Sequence, residues 1–197
     1  MLLVIDIGNS EIVVGVFKNA HLRGQWRVAT HLHKTPDEYG LLLAQLMGIQ
    51  GISPAQITGV IFSSVVPPLT PIFREMTEGY FSVPPMIVSE KLKTGLTIGY
   101  ENPKEVGADR IVNAAAVYHL YGGPAVIVDL GTATTFCAVT QAGDYLGGAI
   151  APGLLVAAEA LFSRTATLPR IQLMPPKKAI GTNTVDAMQS GLIPPLV

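Results

Sequence analysis

The chain has 197 residues, of which 49% are hydrophobic and 14% are charged, and its formal net charge is −1. This composition excludes a disordered chain, and the near-neutral charge provides no basic field that would attract nucleic acid. Apolar stretches are interrupted before they reach membrane-span length, and no signal sequence is recognisable. The only cysteine, Cys137, lies in an apolar run, where we expect it to be a small buried residue. We therefore expect a cytoplasmic protein that binds neither membranes nor nucleic acid.

The first half of the chain has the pattern of an α/β layer. Two β-branched runs, residues 2–7 and 12–17, flank a short polar tip and predict a β-hairpin with buried strands. The other predicted elements are a third antiparallel strand over 21–29, a helix from a capping box at Thr35 to about Met47, a strand over 59–64, a helix over 69–80 and a short strand over 86–89. Together they predict a mixed β-sheet flanked by helices.

The second half contains a second hairpin followed by a third strand, after a linker at residues 97–103 and a helix. Its predicted elements are a helix over 104–121 with Ile111, Val112, Ala115 and Tyr118 facing inward, a hairpin over 125–140, a strand over 144–150, a helix over 154–162, an extended segment over 168–174 and a last helix from a cap at 182–184 to about Ser190. We place one domain at 1–100 and a second at 101–197. The second lacks the closing strand and helix of the first, so we expect it to be incomplete.

Both predicted hairpins carry an Asp-x-Gly motif at the same place. Asp6 and Gly8 in the first hairpin correspond to Asp129 and Gly131 in the second. Taken singly, either motif could be an Asp that caps a tight turn beside a flexible Gly. Two matched motifs instead favour two loops that offer backbone N–H groups and hydroxyls to phosphate, with carboxylates for a hard cation such as Mg²⁺. This predicts an ATP cleft between two lobes without a Walker sequence.

Residues 107–110, Gly-Ala-Asp-Arg, open the helix that follows the linker. In one interpretation Gly107 allows a bend, Asp109 complements the helix N-terminus and Arg110 is solvated. In the other, Asp109 accepts a proton from a substrate hydroxyl and Arg110 holds an anionic group of the substrate. The spacing of these residues does not separate the two alternatives.

Four segments resemble motifs of type III pantothenate kinase. Residues 100–110 resemble the family signature, and residues 6–10 resemble its first phosphate motif, which usually has Thr at its last position. Residues 129–135 resemble the second phosphate motif, and residues 181–184 resemble a later substrate segment. The resemblance covers nearly the whole chain, and its signature motif separates this family from sugar kinases of the same fold.

The resemblance implies the fold and activity of that family. The implied fold has duplicated RNase H-like domains, as in the superfamily of acetate and sugar kinases, Hsp70 and actin. The implied activity is the ATP-dependent phosphorylation of pantothenate to 4'-phosphopantothenate, the first step of coenzyme A biosynthesis. A homodimer, a divalent cation such as Mg²⁺ and a monovalent cation, K⁺ or NH₄⁺, are implied as well.

By position, the resemblance gives each site residue a role. It makes Asp109 the general base, Asp129 the ligand of the monovalent cation and Asp6 a ligand of Mg²⁺ through water. The residues implied to bind ATP are Asp6, Ile7, Gly8, Asn9, Ser10, Glu11, Ile12, Val13 and Thr132. The residues implied to bind pantothenate are Tyr100, Gly107, Ala108, Asp109, Arg110 and Thr184.

One departure separates this chain from the family pattern. Family members continue beyond Val197 with further helices and a Gly-rich segment near the adenosine, so altered ATP contacts are expected. The alternative hypothesis, of a different class, is a non-catalytic homologue that binds nucleotide or pantothenate and acts through a partner protein. The missing segment favours this alternative, whereas Asp6, Asp109 and Asp129 favour the enzyme, since a binding module needs no general base. The role of Glu159 stays open.

Overall fold

The computed structural model describes residues 1–193, and this part of the chain contains two mixed β-sheets flanked by helices. The elements of the first half are β1 (Leu2–Ile7), β2 (Glu11–Lys18), β3 (His21–Ala29), α1 (Pro36–Ile49), β4 (Gly59–Ser64), α2 (Leu69–Phe81) and β5 (Met86–Ile87). Their strands form a five-stranded sheet in the order β3-β2-β1-β4-β5. β1 lies antiparallel to β2 and parallel to β4, which confirms the predicted hairpin and mixed sheet.

One face of the first sheet forms the larger hydrophobic core. Side chains alternate between the faces of a strand, and Leu3, Ile5 and Ile7 of β1 all point to the buried face. They belong to the same buried cluster as Tyr39 of α1 and Phe73 of α2, whose ring centroids are 4.7 Å apart. The apolar periodicity of the sequence therefore orients β1 and leaves Asp6 on the opposite, exposed side.

The elements of the second half are β6 (Thr97–Ile98), α3 (Ala108–Tyr121), β7 (Ala125–Leu130), β8 (Ala133–Val139), β9 (Asp144–Pro152), α4 (Leu154–Arg164) and α5 (Thr184–Leu192). Their strands form a four-stranded sheet in the order β6-β9-β8-β7. β7, β8 and β9 are antiparallel neighbours, as β1, β2 and β3 are in the first sheet. β6 pairs parallel with β9, so the second sheet includes residues that precede position 101.

Two helices show how far local signals determine a helix start. α1 begins as predicted, because Glu38 N donates to Thr35 Oγ1 and the Glu38 carboxylate accepts from Thr35 N. The predicted helix over 104–121 is wrong at its start. Pro103–Glu105 forms a separate 3₁₀ turn, and α3 begins at Ala108. The break arises because Val106 is extended and buried in the second core.

The buried face of α3 also differs from the prediction. The buried residues are Arg110, Ile111 and Ala114, whereas Val112, predicted to face inward, is exposed. These three buried positions follow the i, i+1, i+4 spacing of a single helix face. Arg110 therefore points into the second core instead of into solvent, and the solvated alternative for this residue is wrong.

Among residues 1–193, none of the helices combines the length and the apolar character that crossing a lipid bilayer requires. Residues 194–197, which the sequence analysis assigned to the second domain, lie outside the described residues.

Candidate active site

The tip of the β1–β2 hairpin is held by hydrogen bonds from the end of β3. Gly8 N donates to Glu11 O at 3.0 Å and closes the turn. Thr30 Oγ1 donates to Gly8 O at 2.6 Å, and Thr30 N donates to Ser10 O at 3.1 Å. Asp6 stands at the base of this turn, opposite Val13 of β2. The turn is thus fixed while its hydroxyl at Ser10 stays exposed.

The β7–β8 hairpin has the same layout and is held from α4. Gly131 N donates to Ala133 O at 3.0 Å, and Asp129 lies opposite Thr135 of β8. Gly153, which caps α4, donates its N–H to Thr132 O at 3.0 Å. A side chain at Gly153 would collide with the carbonyls of the hairpin turn. The glycine therefore lets the positively polarised N-terminus of α4 lie directly behind the turn.

The two hairpin tips meet. Ser10 Oγ and Thr132 Oγ1 are 2.9 Å apart and share a hydrogen bond, although 122 positions separate them in the chain. These two hydroxyls are among the groups that the sequence analysis expects to bind phosphate. The structure thus brings the predicted phosphate loops of the two halves into direct contact.

A third carboxylate, that of Asp109, lies within electrostatic range of the hairpin aspartates. Asp109 is the second residue of α3, and its Oδ1 accepts a hydrogen bond from Arg110 N at 2.8 Å. Burial raises the pKa of the Asp109 carboxyl above its usual range, and the negative charges of Asp6 and Asp129 raise it further, against the opposing effect of that hydrogen bond. The three aspartates singled out in the sequence are therefore electrostatic neighbours.

Two residues that the sequence analysis missed hold the hairpin aspartates. Ser63 Oγ donates to Asp6 Oδ1 at 2.6 Å, and Asn113 Nδ2 donates to Asp129 Oδ2 at 2.9 Å. Asn113 follows Asp109 by one helical turn, so both side chains lie on one face of α3. That spacing is the only sequence signal that could have identified Asn113. Ser63 becomes apparent only from the pairing of β4 with β1.

Arg110 is a buried cation without an acidic partner. Its exposed fraction is 5%, and neither of the two ion pairs in the described part of the chain involves it. The guanidinium lies over the rings of Tyr100 and Tyr145, at 6.0 and 5.8 Å from their centroids, and its Nε donates to Cys137 Sγ at 3.2 Å. Its Nη2 has no hydrogen-bond partner among residues 1–193.

An unpartnered buried guanidinium is costly, and a ligand that supplies an anionic oxygen would remove that cost. Cys137, expected as a plain buried residue, is indeed buried, and its sulfur also accepts from Tyr145 Oη at 3.4 Å. The Arg110 guanidinium, surrounded by Tyr100, Tyr145 and Cys137, is therefore a candidate anion-binding group, one residue after Asp109 in α3.

The family follows from comparison with known sequences. Residues 2–197 match the family model described as type III pantothenate kinase. The chain belongs to this family. The match covers all the site residues described above, which agrees with the resemblance noted in the sequence.

Solved structures show the same fold at low sequence identity to this member of the pantothenate kinase family. A Campylobacter jejuni protein described as a conserved Baf family transcriptional activator is 19% identical, with a TM-score of 0.58 over 96% of this chain and 72% of that one. A Sinorhizobium meliloti protein described as a 2-dehydro-3-deoxygalactonokinase is 13% identical, with a TM-score of 0.50 over 84% and 57%. An Aquifex aeolicus Ppx/GppA phosphatase is 11% identical, with a TM-score of 0.50 over 81% and 54%. The chain thus spans little more than half the length of the last two.

The predicted phosphate-binding residues of this pantothenate kinase family member differ in exposure. Asn9 and Ser10 are exposed at the tip, whereas Ile7 and Ile12 are fully buried, so only their backbone could contact a ligand. Val13 lines a mostly apolar cavity of about 350 Å³ beside Asp6 and Ser63. Glu11 is exposed and pairs with Arg27 at 2.9 Å.

The predicted pantothenate-binding residues are not all in one place. Tyr100, Gly107, Ala108, Asp109 and Arg110 lie together at the start of α3. Thr184 begins α5 and lines a separate groove with residues of α4 and α5. Among the described residues, no hydrogen bond joins Thr184 to the aspartate group.

Glu159, whose role was open, pairs with Arg170 at 3.0 Å on the surface. Both side chains are exposed, so this ion pair contributes little to stability.

The carboxylate oxygens of Asp6 and Asp129 suit a cation whose other ligands are phosphate and water oxygens. Among residues 1–193, no three His, Cys, Asp or Glu side chains are grouped to form a complete metal site. Asp6 and Asp129 each have one oxygen held by a protein donor, and within the described chain no protein hydrogen bond uses the other oxygen. A Mg²⁺ ion at transferred phosphates commonly takes one or two carboxylates and keeps several waters, so these residues fit such an ion.

Gly107 keeps space for the carboxylate of Asp109. A Cβ atom at Gly107 would stand 2.5 Å from Asp109 Oδ1. Gly107→Ala should therefore displace this carboxylate. Because small misplacements of a reacting group are costly, a catalytic role for Asp109 predicts that this variant lowers kcat by about tenfold to a hundredfold. The backbone of Gly107 (φ −56°, ψ 140°) suits any residue, so thermal stability should change little.

The matched control for this substitution is Gly79→Ala, where the added Cβ would meet nothing within 4 Å. Steady-state kinetics and thermal melting of both variants test the prediction. A Gly107→Ala variant with the kcat of the wild type would contradict it.

Proposed function

We propose that this chain phosphorylates pantothenate with ATP and forms 4'-phosphopantothenate, the first step of coenzyme A biosynthesis. The observation that carries the proposal is the position of Asp109. It is an electrostatic neighbour of both hairpin aspartates and directly precedes a buried arginine that has a free N–H donor. Membership of the type III pantothenate kinase family supports the same activity.

The nucleotide phosphates would bind where the hairpin tips meet. Asn9, Ser10 and Thr132 offer an amide and two hydroxyls there, and the N-terminus of α4 adds a favourable field for anions. Asp6 would hold Mg²⁺ through water, and Asp129 would hold K⁺ or NH₄⁺. When bound, these cations would offset the charge of the triphosphate.

The acceptor would bind beside the start of α3. Pantothenate carries a carboxylate, and the free Nη2 of Arg110 would donate to it in a buried, charge-assisted hydrogen bond. Tyr100 would contribute an apolar wall, and Gly107 and Ala108 would allow close approach of the substrate. Thr184 is proposed as a further contact.

Asp109 would act as the general base. As the hydroxyl oxygen of pantothenate bonds to the γ-phosphorus, the bond from that phosphorus to the β–γ bridging oxygen breaks and ADP leaves. The hydroxyl proton passes to Asp109. Phosphoryl transfer depends mainly on alignment and charge stabilisation, so the base needs correct placement more than high basicity. Its raised pKa nevertheless makes it a better proton acceptor than an ordinary aspartate.

We further propose that the chain consists of duplicated RNase H-like domains, at 1–100 and 101–197, in a cytoplasmic homodimer. The short strand β6 then comes from the end of the first range and joins the sheet of the second. The equivalent antiparallel order of β1–β2–β3 and β7–β8–β9 supports the duplication. In both sheets the Asp-x-Gly motif occupies the same hairpin turn, which supports a common origin of the two ATP-gripping loops.

A coupled assay of pantothenate-dependent ADP release, run in K⁺ and in Na⁺ buffers, tests the proposed activity. We expect ADP release only when pantothenate is present, and faster release in K⁺. Calorimetry with ATP and with pantothenate distinguishes the kinase from the alternative, a non-catalytic homologue that binds one of these ligands. Binding of either ligand without ADP release would identify a non-catalytic homologue and contradict the proposed activity.

A further inference from the structure

We propose that Ser63 and Asn113 are positioning residues that fix the carboxylates of Asp6 and Asp129 in the orientation needed for nucleotide and cation binding. Neither residue belongs to the motifs that resemble the family, and neither was expected from the sequence. Their role in catalysis rests on the proposed function, but their effect on the two carboxylates does not.

Ser63 holds Asp6 from the neighbouring strand. β4 runs parallel to β1, and Ser63 is the direct register partner of Asp6. The serine is only 4% exposed, and its hydroxyl donates to Asp6 Oδ1 at 2.6 Å. A hydrogen bond from a buried hydroxyl to a carboxylate is among the stronger protein hydrogen bonds, so it selects one orientation of the Asp6 side chain.

Asn113 holds Asp129 in the second half, but it does so from a helix and not from a neighbouring strand. In the described part of the chain β7 is at the edge of its sheet, so no strand stands beside Asp129 as β4 stands beside Asp6. Instead α3 packs against β7, and Asn113 Nδ2 donates to Asp129 Oδ2 at 2.9 Å. The two hairpin aspartates therefore have one dedicated donor each.

The hydrogen bond between Asn113 and Asp129 also connects Asp109 with the second hairpin. Asp109 and Asn113 are one turn apart on the same face of α3. The bond between Asn113 and Asp129 thus joins the helix that carries the proposed base to the strand that carries the proposed cation ligand. Three carboxylates that repel one another need such donors to keep fixed positions, and each donor leaves one carboxylate oxygen available.

The first test is crystallographic and needs no ligand. Ser63→Ala and Asn113→Leu each remove one donor, while Ser63→Thr and Asn113→Gln retain one. We expect the Asp6 carboxylate to turn away from its wild-type position in Ser63→Ala, and the Asp129 carboxylate to do so in Asn113→Leu. The donor-retaining variants should restore the wild-type orientation. Unchanged carboxylates in both donor-free variants would overturn the proposal.

The second test measures binding of a non-hydrolysable Mg·ATP analogue by calorimetry in K⁺ and in Na⁺. Loss of a hydrogen bond to a charged group should weaken binding by about tenfold or more in Ser63→Ala and in Asn113→Leu. Asn113→Leu should also reduce the difference between K⁺ and Na⁺, which a purely structural role would leave unchanged. Wild-type affinity and wild-type cation preference in both variants would overturn the proposal.

The control is Thr140→Val, which removes a similar bond of 2.9 Å from Thr140 Oγ1 to the carboxylate of Asp144, at the other end of the second sheet. Its nucleotide affinity should equal that of the wild type. If the wild type binds the analogue but never phosphorylates pantothenate, the proposed function fails. The positioning proposal is still decided in that case by the crystal structures and the binding constants.

Discussion

Asp109→Asn is expected to lower kcat for pantothenate phosphorylation by about 10²- to 10⁴-fold, the usual contribution of a well-placed general base. The amide keeps the size of the side chain but cannot accept the hydroxyl proton. Binding of Mg·ATP should be largely unaffected, because the hairpin tips that would hold the phosphates do not include this residue. The coupled assay and calorimetry measure the two effects separately.

The same substitution should stabilise the fold at neutral pH. The pKa of Asp109 is raised from an ordinary value of 3.8, mainly by burial, so the folded state binds more protons than the unfolded state between the two pKa values. Stability associated with Asp109 is therefore present at low pH and is lost as the pH rises through the raised pKa. Thermal melting should show Asp109→Asn above the wild type at pH 8 and equal to it below about pH 4.

The control for both effects is Asp37→Asn, an exposed aspartate on α1 for which no role in the site is proposed. Its kcat should match that of the wild type. Two results would contradict the account of Asp109: an Asp109→Asn variant with full kcat, or one that is less stable than the wild type at pH 8.

Arg110→Met is expected to raise KM for pantothenate by about 10- to 100-fold, the cost of a lost charge-assisted hydrogen bond to a carboxylate. The effect on kcat should be smaller, because the guanidinium is proposed to hold the end of the substrate remote from the reacting hydroxyl. The fold should tolerate the change, since no acidic side chain among residues 1–193 pairs with the buried Arg110 and an apolar side chain of similar length replaces it.

Pantothenyl alcohol, which has a hydroxyl in place of the carboxylate, separates a binding role of Arg110 from a structural one. The wild type should prefer pantothenate over this analogue, and Arg110→Met should lose most of that preference. Equal losses of activity towards both compounds would contradict a role of Arg110 in holding the carboxylate.

The sequence predicts those parts of the fold in which local and tertiary preferences agree. The hairpin of β1 and β2 has an apolar period of two and a glycine at its turn, and both signals lead to the observed register. The Thr35 capping box likewise fixes the start of α1 without help from the rest of the chain.

The start of α3 shows where local signals are insufficient. The stretch from Lys104 onward is compatible with a helix, but Pro103–Glu105 forms a separate 3₁₀ turn. Burial of the extended Val106 in the second core then delays the start of α3 to Ala108. Arg110 is a similar case. A charged side chain near a helix start is usually solvated, and only the aromatic rings from distant parts of the chain make its buried position possible.

The sequence identifies the three aspartates of the candidate site but not the residues that hold two of them by hydrogen bonds. Asp6, Asp109 and Asp129 interrupt apolar patterns or lie in motifs, so they can be singled out from the sequence. Ser63 is 57 positions from Asp6 in the chain, and Asn113 is 16 positions from Asp129. Each pair meets only because different elements of the fold pack together. No local pattern marks a serine in a buried strand or an asparagine in a helix as the partner of a particular carboxylate.

A crystal structure with a non-hydrolysable Mg·ATP analogue and pantothenate tests the central claim most directly. We expect the γ-phosphate to contact the hydroxyls of Ser10 and Thr132 and the pantothenate carboxylate to contact Arg110. The terminal hydroxyl of pantothenate should lie within hydrogen-bond reach of Asp109. A nucleotide bound away from the hairpin tips, or a hydroxyl remote from Asp109, would contradict it.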